Sequence, residues 1–321
     1  MKTNLKFGNV GKIFMQQKAI IAIVVLFVAM TIINKNFLSI NNMASLLMQV
    51  SVLLIMTLGV TFCIISGECD LSLGSQMCVA GILSIILQRY LPLPAILLVV
   101  LLVGVVIGII NAVIIVDQGA NSFIVTLGMM MALKGVALVI SNGTPVAGKS
   151  TAYSNFGSGS FLHIYYITWI AIALLIVCAW VLRNTQFGRN CFAIGGGTKN
   201  IAAYTGINVQ RHRRIIFIIS ALSAALAGFC LSAELNSGSA TYGETTALLV
   251  NCGCVVGGTP FNGGYGGIIQ STIGILLFGL LDNSMSMQNI SSYYQQLIKG
   301  IVIVVVVALD CYARKKKRET V

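Results

Sequence analysis

The chain has 321 residues, 57% hydrophobic and only 9% charged, with a mean hydropathy of +0.93. No soluble domain hides that much apolar surface within itself, so composition excludes a water-soluble fold and predicts a polytopic membrane protein, one transmembrane domain over 1–321. The net charge of +12 does not imply nucleic acid: the cations gather at Lys2, Lys6, Lys12 and Lys18, in a central loop and in the tail Arg314–Arg318, a topology signal that also attracts membrane lipids.

In chain order, the apolar run 19–33 follows four lysines, as a signal peptide would. No small-residue cleavage site precedes the polar stretch 34–42, so the run is expected to stay as a first, short span. The run 43–65 is long enough to cross a bilayer, and a third span is expected over 71–87. Between them lies Ser66-Gly67-Glu68-Cys69-Asp70-Leu71-Ser72, with no room for a solvent loop. It is either a tight surface turn in which Asp70 or Ser72 caps the next helix, or a broken helix beside a water-filled path. A fourth span covers 94–116, and Asn121–Gly128 opens a fifth that reaches Ile140. Lys134 within it is either a functional intramembrane cation or a side chain that snorkels from a helix end.

Residues 141–163 are polar and expected outside. There Gly143–Ser150 matches G-x-x-x-x-G-K-[ST], but a phosphate cradle needs a strand before it and a helix after it, and a membrane helix precedes this one. Nucleotide binding is not expected. A sixth span, 166–182, leads to the loop 183–214, which carries six cations and no acid and therefore faces the cytoplasm. A seventh span follows at 215–232, then an external segment 234–244. The apolar stretch 245–256 is about half a bilayer long and ends in the glycine-rich run 257–267, which must be packed inside the bundle to pair its backbone. The ninth span, 268–281, ends at Asp282, and the tenth, 294–309, precedes the basic tail 311–321. About ten all-α spans, some broken or half-length, place both termini in the cytoplasm. Lys35, Arg89 and Lys149 then fall outside, and the inner turns near Gly67 and Asp117 lack a cation.

Cysteines in the apolar runs read as buried free thiols, and His163 and His212 as solvated loop residues. No metal-binding or catalytic constellation is expected. Gly74 and Gly81-Ile82-Leu83 recur as Gly267 and Gly274-Ile275-Leu276, either by chance or as the trace of two related halves that each supply a broken element.

Ala193-Ile194-Gly195-Gly196, Ala202 and Gly206-Ile207-Asn208-Val209 resemble the cytoplasmic coupling loop of ribose-type ABC transporter permeases. The likeness extends through Asn36–Asn42, the Gly67–Gly74 break, Ser122–Gly128, Ser141–Val146, Gly257-Gly258-Thr259 and Ser291–Gln295. It implies a bacterial inner-membrane subunit that binds no cofactor, works with an ATPase subunit that uses ATP, receives its solute from a binding protein, and pairs with a second permease chain. The implied solute is a sugar or similar small polyhydroxylated molecule. Path residues are expected at Glu68, Asp70, Ser72, Asn121 and Thr126, and ATPase-coupling residues at Gly196, Thr198, Asn200, Tyr204 and Gly206. Asn142 and Thr144 are expected at an external gate or at the binding-protein contact. Two departures stand out: Asn200-Ile201-Ala202 lacks the usual Glu of the coupling helix, and Ala247 and Leu249 replace an acidic pair. A non-identical partner chain would make both tolerable. The competing readings are an ion-gradient carrier using Glu68 and Asp70, which has less need of a long docking loop, and a channel, which would need a filter motif or charged ring that is absent here.

Overall fold

The structure, a computed structural model, describes residues 18–197, 202, 204 and 206–319. Its helices are α1 (Lys18–Ile33), α2 (Ile40–Ile65), α3 (Leu73–Leu87), α4 (Leu93–Ala112), which widens into a π turn over Val113–Asp117, and α5 (Ser122–Ser141). They continue as α6 (Thr151–Ser158), α7 (Tyr166–Asn184), α8 (Gln186–Gly196), α9 (Val209–Leu235), α10 (Thr246–Gly257), α11 (Ile268–Met287) and α12 (Ser292–Glu319). Among the described residues, six helices are long and apolar enough to cross a membrane, and Ala19–Ile33, Leu73–Leu87 and Thr246–Gly257 are shorter apolar helices. With α12 these cover every expected span, and the chain is an all-α, multi-pass membrane protein.

Local chemistry explains the boundaries. Ser39 and Asn208 cap α2 and α9, accepting from Asn42 N at 3.3 Å and Arg211 N at 2.9 Å. A proline occupies the first turn of α4. Asn142 and Asn236 end α5 and α9 in the left-handed conformation, which asparagine tolerates best after glycine.

Helix α9 is the axis of the bundle, lying along α2, α3 and α4. Its small residues permit this. A Cβ on Gly104 of α4 would stand 2.8 Å from Ala225 Cβ, and one on Gly108 2.8 Å from Ile218 Cα, so α4 and α9 touch nearly backbone to backbone. Helix α2 is also central, with 89% of its apolar window buried, whereas α4, α5 and α7 bury only 28%, 17% and 22%. Those three present apolar surface to lipid or to another chain.

One end of the bundle is closed by the segment 141–165. Val146–Ala147 (β1) pairs antiparallel with Ser237–Gly238 (β4), and Ser160–Phe161 (β2) with Ile164–Tyr165 (β3). Tyr153 of α6 hydrogen-bonds Phe229 O at 2.9 Å and Ser232 Oγ at 2.7 Å, and burial pushes its phenol above the usual range. The P-loop look-alike therefore runs through a two-residue strand and ends with Ser150 capping α6, and forms no cradle.

Three expectations change. Helix α9 begins at Val209, so Arg211, Arg213 and Arg214 occupy its first turns and not the loop. Helix α11 runs past Asp282 to Met287, because Lys299 of α12 pairs with that carboxylate at 3.0 Å. The 257–267 run is only partly inside: Thr259 and Gly267 are buried, but Phe261 and Tyr265 are exposed.

Candidate functional site

At the end opposite 141–165, two interruptions of helical backbone meet. The first, 66–72, joins α2 to α3 and turns through Gly67 at φ +74°. Glu68 is 4% exposed, and Arg213 of α9 binds its Oε1 through Nε at 2.8 Å and Nη2 at 2.7 Å. A carboxylate cannot stay ionised in such a place without a cation, so the pair fixes the break to α9. In the same way Arg214 binds Asp117 at the π turn of α4, through Nη2 at 2.5 Å. The inner turns that carry no cation of their own thus borrow one each from the start of α9.

Asp70 is fully buried. Ser72 donates to its Oδ1 through N at 3.0 Å and Oγ at 2.6 Å, Ser220 of α9 donates to Oδ2 at 2.7 Å, and Asn251 of α10 donates to its backbone carbonyl at 2.9 Å. Gln76 and Asn111 then donate to Ser72 Oγ at 2.7 and 3.1 Å. Ser72 is the N-cap residue of α3, yet its side chain turns to Asp70 and not to the helix. The capping alternative gives way to a network that ties the break to α3, α4, α9 and α10.

The second interruption, 258–267, joins α10 to α11 around Thr259, whose Oγ1 accepts from Gly267 N and Ser271 Oγ at 3.1 Å each. Gly264 N donates to Ile65 O at 2.7 Å, so the two breaks are hydrogen-bonded to each other. The short helix α8 rests on both. A Cβ on Gly195 would lie 1.9 Å from Ile65 O and 2.6 Å from Gly264 N; one on Gly263 would lie 2.7 Å from Gly67 N. A Cβ on Gly264, at φ +71°, would lie 2.3 Å from Gly196 Cα. Three backbones meet, and no side chain fits at Gly195, Gly263 or Gly264.

Helix α8 is seated by further contacts. Gly188 N donates to its cap Thr185 Oγ1 at 3.3 Å, and Cys191 Sγ lies 3.2 Å from His212 Nε2. The Phe187 ring covers that imidazole at 4.3 Å between centroids. His212 is therefore buried, not solvated, because Phe187 and Cys191 close over it; His163 is exposed as expected. Burial pushes the Cys191 thiol up to about 12, so it is a neutral packing group. The other described cysteines are free, and most are buried, as the sequence implied.

The remaining expected residues are scattered. Asn121 is exposed and caps α5 by accepting from Phe123 N at 2.9 Å, while buried Thr126 donates to Ser122 O at 2.7 Å. Neither touches the Asp70 network; the link from α5 to the break is Ser122, whose Oγ accepts from Cys69 N at 3.4 Å. Gly196 belongs to the junction, Tyr204 is 89% exposed, and Gly206 turns at φ +82°. Thr198 and Asn200 lie outside the described residues. Asn142 and Thr144 are exposed at the opposite end. There Lys134 pairs with Glu244 beside a cavity of about 360 Å³ that Ser75, Met130 and Met131 also line. Ala247 and Leu249 are buried in α10. Ser220, Asn111 and Asn251 were not singled out in the sequence, and Arg213 and Gly195 were read only as parts of the basic loop and its motif, since each looks ordinary until a distant partner is placed beside it.

The family described as branched-chain amino acid transport system / permease component matches residues 42–307. The chain is 33% identical to the ribose import permease protein of Haemophilus influenzae over 99% of both chains. It is 37% identical to the ribose import permease protein of Bacillus subtilis, over 91% of this chain and 90% of that one. Against the L-arabinose ABC transporter permease protein of Azospirillum brasilense, identity is 31% over 97% of this chain and 92% of the relative. No solved structure matches it.

Proposed function

We propose that this chain, which belongs to the branched-chain amino acid transport system / permease component family, forms the translocation path for a pentose or similar polyhydroxylated solute in an ATP-binding-cassette importer. The observation that carries the reading is the seating of α8 on both helix breaks through Gly195, Gly196, Gly263 and Gly264. A helix held this way cannot shift without shifting the breaks, because backbone-to-backbone contact leaves no flexible side chain to absorb the motion.

The chain then contributes a path and a coupling surface, and its partners contribute the rest. A separate ATPase subunit hydrolyses ATP and grips α8 together with the 198–206 stretch, including Tyr204 and Gly206. A binding protein delivers solute at the opposite end, near Asn142 and Thr144. A second permease chain, identical or paralogous, completes the path. Both termini lie in the cytoplasm of a bacterial inner membrane, with the basic loop and tail on the same side. Glu68, Asp70 and Ser72 hold the polar wall of that path for a hydroxyl-rich solute, and Asn121 and Thr126 contribute to it from α5, apart from the Asp70 network.

The test is a mild-detergent purification from native membrane that identifies each accompanying subunit and assays the eluate for ATP hydrolysis. A co-purifying ATPase, lost on replacing Tyr204 or Gly206, is the expected result. A chain that emerges alone and still moves solute in liposomes under an ion gradient would overturn the proposal.

A further inference from the structure

Beside α8, on the flank of the bundle, a cavity of about 560 Å³ opens between the last turn of α7, α8 and the first turn of α11. Its walls carry Arg183 and Arg189, with Asn184, Trp180 and Phe192, and it contains no acid. Among the described residues neither arginine pairs with a carboxylate, in contrast to Arg213 and Arg214 a short distance along the chain. Below the arginines the wall is continuous with exposed apolar surface: Ile176, Val177 and Trp180 on α7 and Ile269 on α11. Two guanidiniums above an indole, at the boundary between an apolar flank and a polar end, form a cationic head pocket over an apolar groove.

We infer that this cavity binds the headgroup of an anionic phospholipid, with the acyl chains lying along α7 and α11. The charge selects the ligand. Guanidinium groups bind phosphate bidentately, and a basic pocket between spans on one membrane face recognises anionic headgroups. The amphipathic indole suits the interfacial depth. The position gives the site a consequence, since Arg189 and Phe192 lie on α8 and 268–270 follow directly on the second break. An occupied pocket braces the junction from its lipid side.

The experiment is native mass spectrometry of the chain, purified with whatever subunits accompany it, from bilayers of equal phosphatidylglycerol and phosphatidylcholine. Wild type is expected to retain phosphatidylglycerol preferentially. Each of R183Q and R189Q should lower that preference by about fivefold, the contribution of one cation near a membrane surface. R183K/R189K should keep most of it, and R89Q at the opposite end all of it. Both arginines are exposed, so the variants should elute from size exclusion as wild type does. Three results would overturn the inference: no preference in wild type, a preference unchanged in R183Q/R189Q, or displacement by inorganic phosphate but not by chloride of equal ionic strength, which would make this a free-phosphate site. The readout needs no transport, so it succeeds or fails independently of the proposed function.

Discussion

Glu68 and Arg213 show how much a single buried charge decides. Their side chains are 3% and 11% exposed, so removing the Glu68 carboxylate strands the Arg213 guanidinium in a medium that solvates it poorly. Glu68→Gln is expected to cost about 3–5 kcal/mol, seen as a lowered thermal midpoint in detergent. The double variant Glu68→Gln/Arg213→Gln should recover most of that loss, because two neutral amides can meet without a stranded charge. A Glu68→Gln protein as stable as wild type would show that the Arg213 guanidinium is solvated and that the ion pair does not hold the break. The acids themselves were legible in the sequence, as charges with no room for a loop. Their partner was not: Arg213 lies 145 residues away and reads as one more cation in a basic loop.

At the scale of the element, α8 carries the strongest contrast between neighbouring positions. A Cβ at Gly195 would overlap Ile65 O at 1.9 Å, whereas one at Gly196 would stand an ordinary 3.5 Å from Gly264 Cα. Overpacking of this kind costs about 1–3 kcal/mol, so Gly195→Ala is expected to lower solute uptake by about tenfold or more. ATP hydrolysis by the assembled complex should persist, since the exposed face of α8 is unchanged. Gly196→Ala should stay within about twofold of wild type in uptake. Equal effects at both positions would mean that α8 does not ride on the breaks. The elements were largely readable, because apolar length marks a span and a glycine run marks a break. Their meeting was not, for nothing local says that Gly67, Gly195 and Gly263 converge.

For the whole molecule, the asymmetry of the two ends is the physical fact from which orientation follows. Arg183, Arg189, Arg211, Arg213 and Arg214 all lie at the α8 end, whereas the opposite end is capped by the uncharged strands β1 and β4 and by α6. Cations resist translocation, and on that ground the proposed orientation has the α8 end facing the cytoplasm. The cysteines make this testable, because Cys63, Cys78, Cys191, Cys230, Cys252 and Cys254 are buried and should react slowly. Thr144→Cys, on an exposed turn, is expected to take up a membrane-impermeant maleimide in intact cells. Tyr204→Cys, at a position 89% exposed at the other end, should react only in inside-out vesicles. Labelling of Tyr204→Cys from outside would invert the molecule, and with it the side from which ATP hydrolysis could act on α8.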